Sequence, residues 1–386
     1  MNFDFSPEQK AIYEYGGQLS KQYDRKYWMA KAEARAFPSE MYQQVARDGF
    51  LGIMVPEQYG GTGLGMTEMA LFMEGLSNHG IPLLSLVISS TMSLPLIAMH
   101  GTEEQKVRYL PDVCSGKKRF CFAITEPDAG SNSMNISTFA KQKNGKFYLS
   151  GAKTYITDAD TADFGLVVAR TTALKDGKRK TDGFTLFVVD MHDPKITKHN
   201  IPVSICMPEN QCQVFFDELE LTEENVVGKV DRGFDILFDT LNPERIILAA
   251  LCTGIGNYAI RLAAKYASER VVFNGPIGAY QGLQHPLAAA KTEVELARLM
   301  TYKAAWAFDN KMSAGEFSNM AKYAAAEAAI HACDASVQCF GGNGFTKEYG
   351  IFDLYPLARL LRTAPLNREV ILSYIGEKVL GMPRSY

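Results

Sequence analysis

The 386-residue sequence has no large excess of charge of either sign, because 40 lysines and arginines stand against 43 aspartates and glutamates and leave a net charge of −3. A nucleic-acid-binding surface is usually strongly basic, so we expect no nucleic-acid partner. The first residues have neither the basic nor the apolar stretch of a secretory signal. No run approaches the roughly 18 apolar residues of a membrane-spanning helix. We therefore expect a cytoplasmic protein with no membrane span.

Cysteine is scarce and shows no pattern. The seven cysteines are odd in number, form no Cys-x-x-Cys pair and have no histidine close enough to complete a zinc site. They are Cys114, Cys121, Cys206, Cys212, Cys252, Cys333 and Cys339. The sequence predicts reduced thiols in the core and no metal site.

The spacing of apolar residues changes twice along the chain, whose hydrophobic fraction of 47% is enough for a large core. Intervals of three and four residues predict helices from about Ser6 to Cys114, alternation predicts strands from Cys121 to about Val230, and helical spacing returns after Gly233. We predict an α+β multidomain protein with a helical domain at 1–118, a β domain at 119–231 and a helical bundle at 232–386.

Local signals add detail to this outline. The pairs Asn144-Gly145 and Asp182-Gly183 are typical of hairpin turns. The charged run from Lys175 to Asp182 is more typical of a solvated hairpin end than of a binding patch. The glycines and asparagine of Phe340-Gly-Gly-Asn-Gly-Phe345 are suited to ending a helix.

Several motifs stand in a fixed order along nearly the whole chain. The most specific is Phe122-Ala-Ile-Thr-Glu-Pro-Asp-Ala-Gly-Ser-Asn132, followed by Tyr155-Ile-Thr157. Val55-Pro-Glu-Gln-Tyr-Gly-Gly61 precedes it, and Arg270, Gln281 and Gln338-Cys-Phe-Gly-Gly-Asn-Gly-Phe345 follow. Together these motifs resemble the acyl-CoA dehydrogenase family.

That resemblance implies a fold, a cofactor and partners. The fold would have a helical N-terminal domain, a β-barrel middle domain and a C-terminal four-helix bundle. The cofactor would be FAD, clamped between subunits of a homo-oligomer that is at least a dimer and usually a dimer of dimers. The substrate would be a CoA thioester, and the electron partner would be an electron-transferring flavoprotein.

The resemblance also assigns site residues. Around the isoalloxazine and the thioester it places Phe122, Ile124, Thr125, Ser131, Tyr155 in place of the usual tryptophan, Ile156 and Thr157. For other parts of FAD it implies Arg270, Phe273, Gln281, Gln338, Gly341, Gly342, Asn367 and Glu369. For the substrate it implies Ser131, Asn242 and Arg245. Two of these motifs also have structural interpretations, because Thr125–Gly130 is rich in turn residues and Arg270 suits a helix C-terminus.

The catalytic base is the point at which the chain departs from the family. Members usually carry a catalytic glutamate in Glu-Gly-Thr-Ser-Glu near the C-terminus, where this chain has Ala364-Pro-Leu-Asn-Arg-Glu369. Aligning Asn367 with the threonine, because both are competent N-caps, puts Pro365 at the glutamate position. Proline has neither a carboxylate nor a backbone N–H, so half of the family's oxyanion hole is also lost.

A second glutamate can replace the missing one. Some branches of the family carry their base in a Glu-Arg pair on the first long C-terminal helix, and this chain has Asn242-Pro-Glu244-Arg245 there. The alternative is purely structural, with Asn242 as N-cap, Pro243 in the first turn and Glu244 at the positive end of the dipole. We predict Glu244 as the catalytic residue.

The expected reaction is FAD-dependent α,β-dehydrogenation of an acyl-CoA thioester. The absent glutamate leaves open an enoyl-CoA reductase, or another CoA-thioester flavoprotein without α-proton abstraction, such as a desulfinase. A non-catalytic FAD- and CoA-binding assembly protein is the third possibility.

Overall fold

The computed structural model describes residues 4–384, and its N-terminal part is helical. Ser6 caps the first helix by accepting a hydrogen bond from the Gln9 backbone N–H, as the sequence predicts for a start near Ser6. A seven-residue π-helical turn, Val87–Ser93, separates two short helices. The helices are α1 (Pro7–Leu19), α2 (Arg25–Glu33), α3 (Ser39–Arg47), α4 (Met66–Ser77), α5 (Leu84–Leu86), α6 (Leu94–His100) and α7 (Glu103–Cys114).

The middle part is an eight-stranded mixed sheet. Its strands are β1 (Phe120–Ala123), β2 (Phe139–Lys143), β3 (Lys146–Thr157), β4 (Phe164–Arg170), β5 (Phe184–Asp190), β6 (Ile196–Ile201), β7 (Gln211–Leu221) and β8 (Val226–Val227). They follow the order β6-β7-β3-β2-β4-β5-β8, and β1 pairs in parallel with β4. The strands β3 and β7 form a long antiparallel ladder, in which Thr157 lies opposite Gln211.

The C-terminal part consists of long helices with a small two-stranded ribbon. Its elements are α8 (Gly233–Glu269), β9 (Val271–Val272), β10 (Gly275–Pro276), α9 (Gln281–Asp309), α10 (Gly315–Phe340), α11 (Leu354–Thr363) and α12 (Arg368–Tyr374). One continuous core joins α4 with α8, α9 and α10. An 18-residue window of α8 is apolar enough to cross a membrane, but 78% of that window is buried inside the protein, as is usual for a central core helix.

The predicted fold class is confirmed, with helical, sheet and helical parts in the predicted order. The boundaries at 118/119 and 231/232 stay predictions; α7 ends at Cys114 and α8 begins at Gly233. All seven cysteines are free thiols, and six of them are buried.

Several local predictions can be compared with the structure. Asn144 and Gly145 both have positive φ and form the two-residue β2–β3 hairpin turn, as predicted. Asp182 and Gly183 also lie in a hairpin, because β4 and β5 pair antiparallel, but the connection is long and Gly183 is its last residue.

The alternative interpretation of Asn242-Pro243-Glu244 as a helix start is wrong. The helix α8 runs through this point, with Pro243 inside it. Proline in a helix interior costs about 3 kcal/mol relative to alanine, so packing of α8 into the core must offset that cost. Glu244 is consequently an interior residue of a buried helix, and the N-terminal dipole does not explain its position.

Candidate active site

One large cavity lies where the three parts of the chain meet, with a volume of about 1610 Å³. It is lined mainly by apolar side chains from α5, α6 and the π-helical turn, from β1, β3 and β7, and from α8, α11 and α12. The predicted site residues on its wall are Phe122, Ile124, Thr125, Ser131, Tyr155, Ile156, Thr157, Asn242, Glu244, Arg245 and Asn367. The structure thus brings together residues that are far apart in the sequence.

The sheet side of the cavity is shaped by an irregularity in β3. The register against β7 shifts between Lys153 and Ile156, and Tyr155 within this bulge has a φ of 56°. Its side chain is 63% exposed, so an aromatic ring is displayed at the cavity wall. Next to it, the Thr157 hydroxyl and the Gln211 side-chain amide lie within hydrogen-bonding distance at 3.1 Å. This wall therefore offers one aromatic face and two polar groups.

A buried ion pair lies behind the same wall. Lys153 Nζ donates to Glu126 Oε1 over 2.8 Å and to the Ile124 carbonyl over 2.9 Å. Glu126 also accepts hydrogen bonds from the Thr138 N–H and from both the N–H and the hydroxyl of Ser137. Burial alone would raise the pKa of Glu126, but the Lys153 charge and these hydrogen bonds lower it to about 2. The pair fixes the Ile124–Glu126 segment against β3.

The C-terminal helices contact the sheet side of the site through Asn367. Its Nδ2 group donates to Ser131 Oγ over 2.6 Å. Its Oδ1 atom accepts from the Val370 N–H over 2.9 Å and caps α12, which confirms the predicted N-cap. One side chain thus orders a helix start and joins it to the Glu126–Ser131 loop.

Glu244 of α8 also lines the cavity and is only 6% exposed. Burial raises the pKa of its carboxyl, and the charges of Arg245 and Lys322 offset this in part, leaving a pKa of about 7. Arg245 Nη1 donates to Asn242 Oδ1 over 2.8 Å, and that oxygen also accepts from the Ser318 hydroxyl. A carboxyl group with a pKa near neutrality can both take up and release a proton.

Pro365 lies in the segment that connects α11 to α12. It lines the same cavity as Glu244, together with its neighbours Ala364 and Leu366. This wall carries no carboxylate at 365 and no backbone N–H there. Three carboxylates on the helical side line the cavity: those of Asp239, Glu244 and Asp309. Asp239 pairs with His100 over 2.8 Å.

The remaining predicted residues form a separate group that does not line the cavity. Arg270 is the exposed C-cap of α8, so the helix-end interpretation of this residue is confirmed. Phe273 has a φ of 56° and is 89% exposed. Exposed Gln281 begins α9, while exposed Gln338, Gly341 and Gly342 lie at the end of α10. Glu369 lies in the first turn of α12 and also does not line the cavity.

The ends of α8 and α10 lie side by side. Tyr266 stacks on Phe340 with ring centroids 4.3 Å apart, and the Tyr266 hydroxyl accepts a hydrogen bond from Asn343. Gly341 ends α10 with a φ of 56°, as predicted. A Cβ atom added to Gly341 or Gly342 would meet nothing within 4 Å, so this surface has room for another molecule.

The residues present fit FAD. The displayed Tyr155 ring and the Thr157–Gln211 pair suit a polar aromatic ring system, and the exposed Arg270 guanidinium suits a diphosphate. Sequence reasoning missed Gln211 and Lys322. Gln211 could have been found only through its register with Thr157, while Lys322 is hidden in the apolar pattern of α10.

Models of the acyl-CoA dehydrogenase family match three parts of the chain: the N-terminal domain at residues 6–117, the middle domain at 121–219 and the C-terminal domain at 231–380. The acyl-CoA dehydrogenase FadE12 of Mycobacterium tuberculosis is 43% identical over 100% of this chain and 99% of its own length. The caffeyl-CoA reductase-Etf complex subunit CarC of Acetobacterium woodii is 33% identical over 90% of this chain and 92% of its own. The solved butyryl-CoA dehydrogenase of Megasphaera elsdenii has a TM-score of 0.93 and 26% identity, and the match covers 98% of this chain and 100% of that one.

Proposed function

The chain belongs to the acyl-CoA dehydrogenase family, and we propose that it dehydrogenates an acyl-CoA thioester between the α and β carbons, with Glu244 as the base. Family membership makes it an FAD-dependent oxidoreductase that acts on CH–CH groups. This excludes the non-catalytic assembly protein. What we propose beyond family membership is the acyl-CoA substrate and Glu244 as the base.

The observation that carries this proposal is the position of Glu244 in the cavity. Its carboxyl is buried, has a pKa of about 7 and shares the cavity wall with Pro365, which occupies the family's usual glutamate position by sequence. Near neutral pH a substantial fraction of such a carboxyl is ionised, and a general base works best when its pKa is close to the working pH. Glu244 would take the proton from the α-carbon, while Arg245 and Asn242 hold the CoA part.

Bound FAD would supply the acceptor for the hydride that leaves the β-carbon. We propose that the residues of the cavity wall from β1, the Thr125–Ser131 loop and β3 hold its ring system, with Tyr155 covering one face. Thr157 and Gln211 would bond the polar edge of the ring. Ser131, held by Asn367 over 2.6 Å, would lie between the cofactor and the thioester.

The exposed group at the ends of α8 and α10 supports a shared cofactor site. Arg270, Gln338, Gly341 and Gly342 lie outside the cavity of their own chain. We propose that Arg270 and Gln281 meet the diphosphate of FAD, and that Gln338–Gly342 meet the FAD held mainly by another subunit. The functional protein would then be a homodimer at least, and a dimer of dimers by analogy with the family.

We also propose an electron-transferring flavoprotein as the electron partner and the cytoplasm as the compartment. The similarity to a subunit whose name places it in an Etf complex supports the first. The seven free thiols support the second.

The test is anaerobic bleaching of the FAD absorbance by CoA esters. Butyryl-CoA, isobutyryl-CoA and cyclohexanecarbonyl-CoA would be compared as saturated substrates, with mass analysis of the acyl products. A dehydrogenase bleaches with at least one saturated ester, and the product is lighter by two hydrogens. Failure of every saturated ester, with FAD bound and CoA esters binding, would contradict the proposal.

An enoyl-CoA reductase is the second candidate. The 33% identity to the caffeyl-CoA reductase subunit and the loss of the usual glutamate at Pro365 favour it. In that direction, a protonated Glu244 would deliver the α-proton. Dithionite-reduced protein would then be reoxidised by crotonyl-CoA or cinnamoyl-CoA, and the rate would rise as pH falls.

A further inference from the structure

Lys322 of α10 is a buried ammonium group whose charge lowers the pKa of the proposed base. It is 2% exposed, and its Nζ donates to the Leu366 carbonyl over 2.5 Å and to the Arg362 carbonyl over 3.3 Å. These two carbonyls flank the segment that contains Pro365. A buried ammonium is costly, and an apolar side chain of similar length would fill the same space. The charge therefore needs a reason.

A second contact clamps the same segment onto α10. Glu327, five residues after Lys322, pairs with Arg362 over 2.9 Å and with Arg368 over 3.5 Å. The lysine holds the backbone of the 362–366 segment, and the glutamate holds the side chains of Arg362, at the start of that segment, and of Arg368, just after it. The cavity wall at Pro365 thus has its position set from α10.

The Lys322 charge also acts on Glu244. Burial lowers the pKa of Lys322 to about 8, and Cys252 and Glu244 counteract this in part. The charge of Lys322 in turn lowers the pKa of Glu244. Of the two cations with this effect, Arg245 has the larger influence and Lys322 the smaller. The acceptors of Lys322 are backbone carbonyls, so its charge acts on Glu244 through space. The charged and titratable groups around the two are Arg245 and Cys252 of α8, Glu327 of α10, Arg362 of α11, and Arg368 and Tyr374 of α12.

We propose that Lys322 is a positioning residue for the α-proton transfer: it fixes the 362–366 wall of the pocket from α10 and places a positive charge where it acts on Glu244. This inference rests on the proposed function of Glu244. Its two effects are linked, because the same ammonium bonds the carbonyls of the wall and carries the charge that acts on Glu244. A neutral residue at 322 would release the wall and leave Arg245 as the remaining cation of the two that lower the pKa of Glu244.

The test compares Lys322→Met with Lys322→Arg, which keeps a cation and its donors. The probe is methylthioacetyl-CoA, whose α-carbon carries acidic hydrogens but whose β-position is sulfur with no hydride to give. Its enolate produces a long-wavelength absorbance band when it stacks on an oxidised flavin, so the band measures deprotonation without turnover. Titrated against pH, the band should appear with a midpoint that shifts upward by about one unit in Lys322→Met, since a nearby opposite charge shifts a pKa by 1–3 units.

Lys322→Arg should restore the wild-type midpoint, and Lys265→Met, at an exposed position of α8, should leave it unchanged. If Lys322→Met does not retain FAD, Lys322→Gln, which keeps an uncharged donor, replaces it and should show the same upward shift. An unchanged midpoint in the neutral variant, or an arginine variant that behaves like it, would overturn the proposal. The wild type could also show the normal long-wavelength band although no saturated ester bleaches its flavin. That result would refute the proposed dehydrogenation and leave the role of Lys322 standing.

Discussion

The buried pair Glu126–Lys153 allows a sharp test of how the cofactor wall is held. The Lys153 side chain is fully buried and that of Glu126 is 4% exposed, and the two connect the Ile124–Glu126 segment to β3. Lys153→Met removes the cation and leaves a buried carboxylate that still accepts three hydrogen bonds from Ser137 and Thr138. Breaking a buried pair from one side costs about 3–5 kcal/mol. We expect that loss in the free energy of unfolding, together with weaker FAD retention.

The double variant Lys153→Met/Glu126→Gln should recover part of the loss, because glutamine removes the unpaired charge. Its amide oxygen can keep the two hydrogen bonds from Ser137, which reach one carboxylate oxygen, but not the bond from the Thr138 N–H, which reaches the other. The matched control is Lys146→Met on the same strand, since Lys146 forms an exposed pair with Glu220 and should matter little. Urea denaturation followed by flavin fluorescence and circular dichroism measures both effects. A Lys153→Met variant as stable as the control, or a double variant no better than the single one, would refute this reasoning.

Three further predictions concern the cofactor and the base. Arg270→Ala should weaken FAD binding, because it removes a charged diphosphate contact worth about 1.5–3 kcal/mol. FAD content after gel filtration measures this loss, and a normal FAD content would show that Arg270 does not contact the cofactor. The rate of flavin reduction should rise with pH around a midpoint near 7, because burial raises the pKa of Glu244 to about 7 and only its carboxylate accepts the α-proton. Stopped-flow measurements test this, and a rate that falls as the pH rises through 7 would favour the reductase. The double variant Glu244→Gln/Pro365→Glu should regain part of the flavin bleaching that Glu244→Gln loses. The gain should be largest with butyryl-CoA, because the new carboxylate would crowd a bulky acyl group. No gain, with normal FAD and ligand binding, would show that position 365 does not face the α-carbon.

The motifs in this sequence located the residues of the cavity wall but not the contacts that hold them. Asn367 was predictable as an N-cap because capping depends on a local hydrogen bond three residues away. The Glu126–Lys153 pair spans 27 residues and arises only when β3 lies against the Ile124–Glu126 segment. Lys322 likewise gains its meaning from the Leu366 carbonyl, 44 residues further along the chain.

At position 242 a local sequence signal was present but did not correspond to the structure. Asn242-Pro243-Glu244 is a good local signal for a helix start, yet α8 continues through it because its apolar faces are buried in the shared core with α4, α9 and α10. Tertiary packing overrode local preference there. Asn242 Oδ1 accepts a hydrogen bond from the Arg245 guanidinium instead of capping a helix, a role that no local pattern indicates.

The central claim is that Glu244 removes the α-proton, and single-turnover flavin bleaching tests it most directly. Wild type, Glu244→Gln and the control Glu269→Gln, at an exposed position near the end of α8, would be mixed anaerobically with the best saturated CoA ester. Glutamine keeps the shape of the side chain and loses the proton acceptor. We predict equal FAD content and ester binding in all three, with bleaching slowed by about 10²–10⁴-fold in Glu244→Gln alone. Bleaching at the wild-type rate in Glu244→Gln would contradict the account.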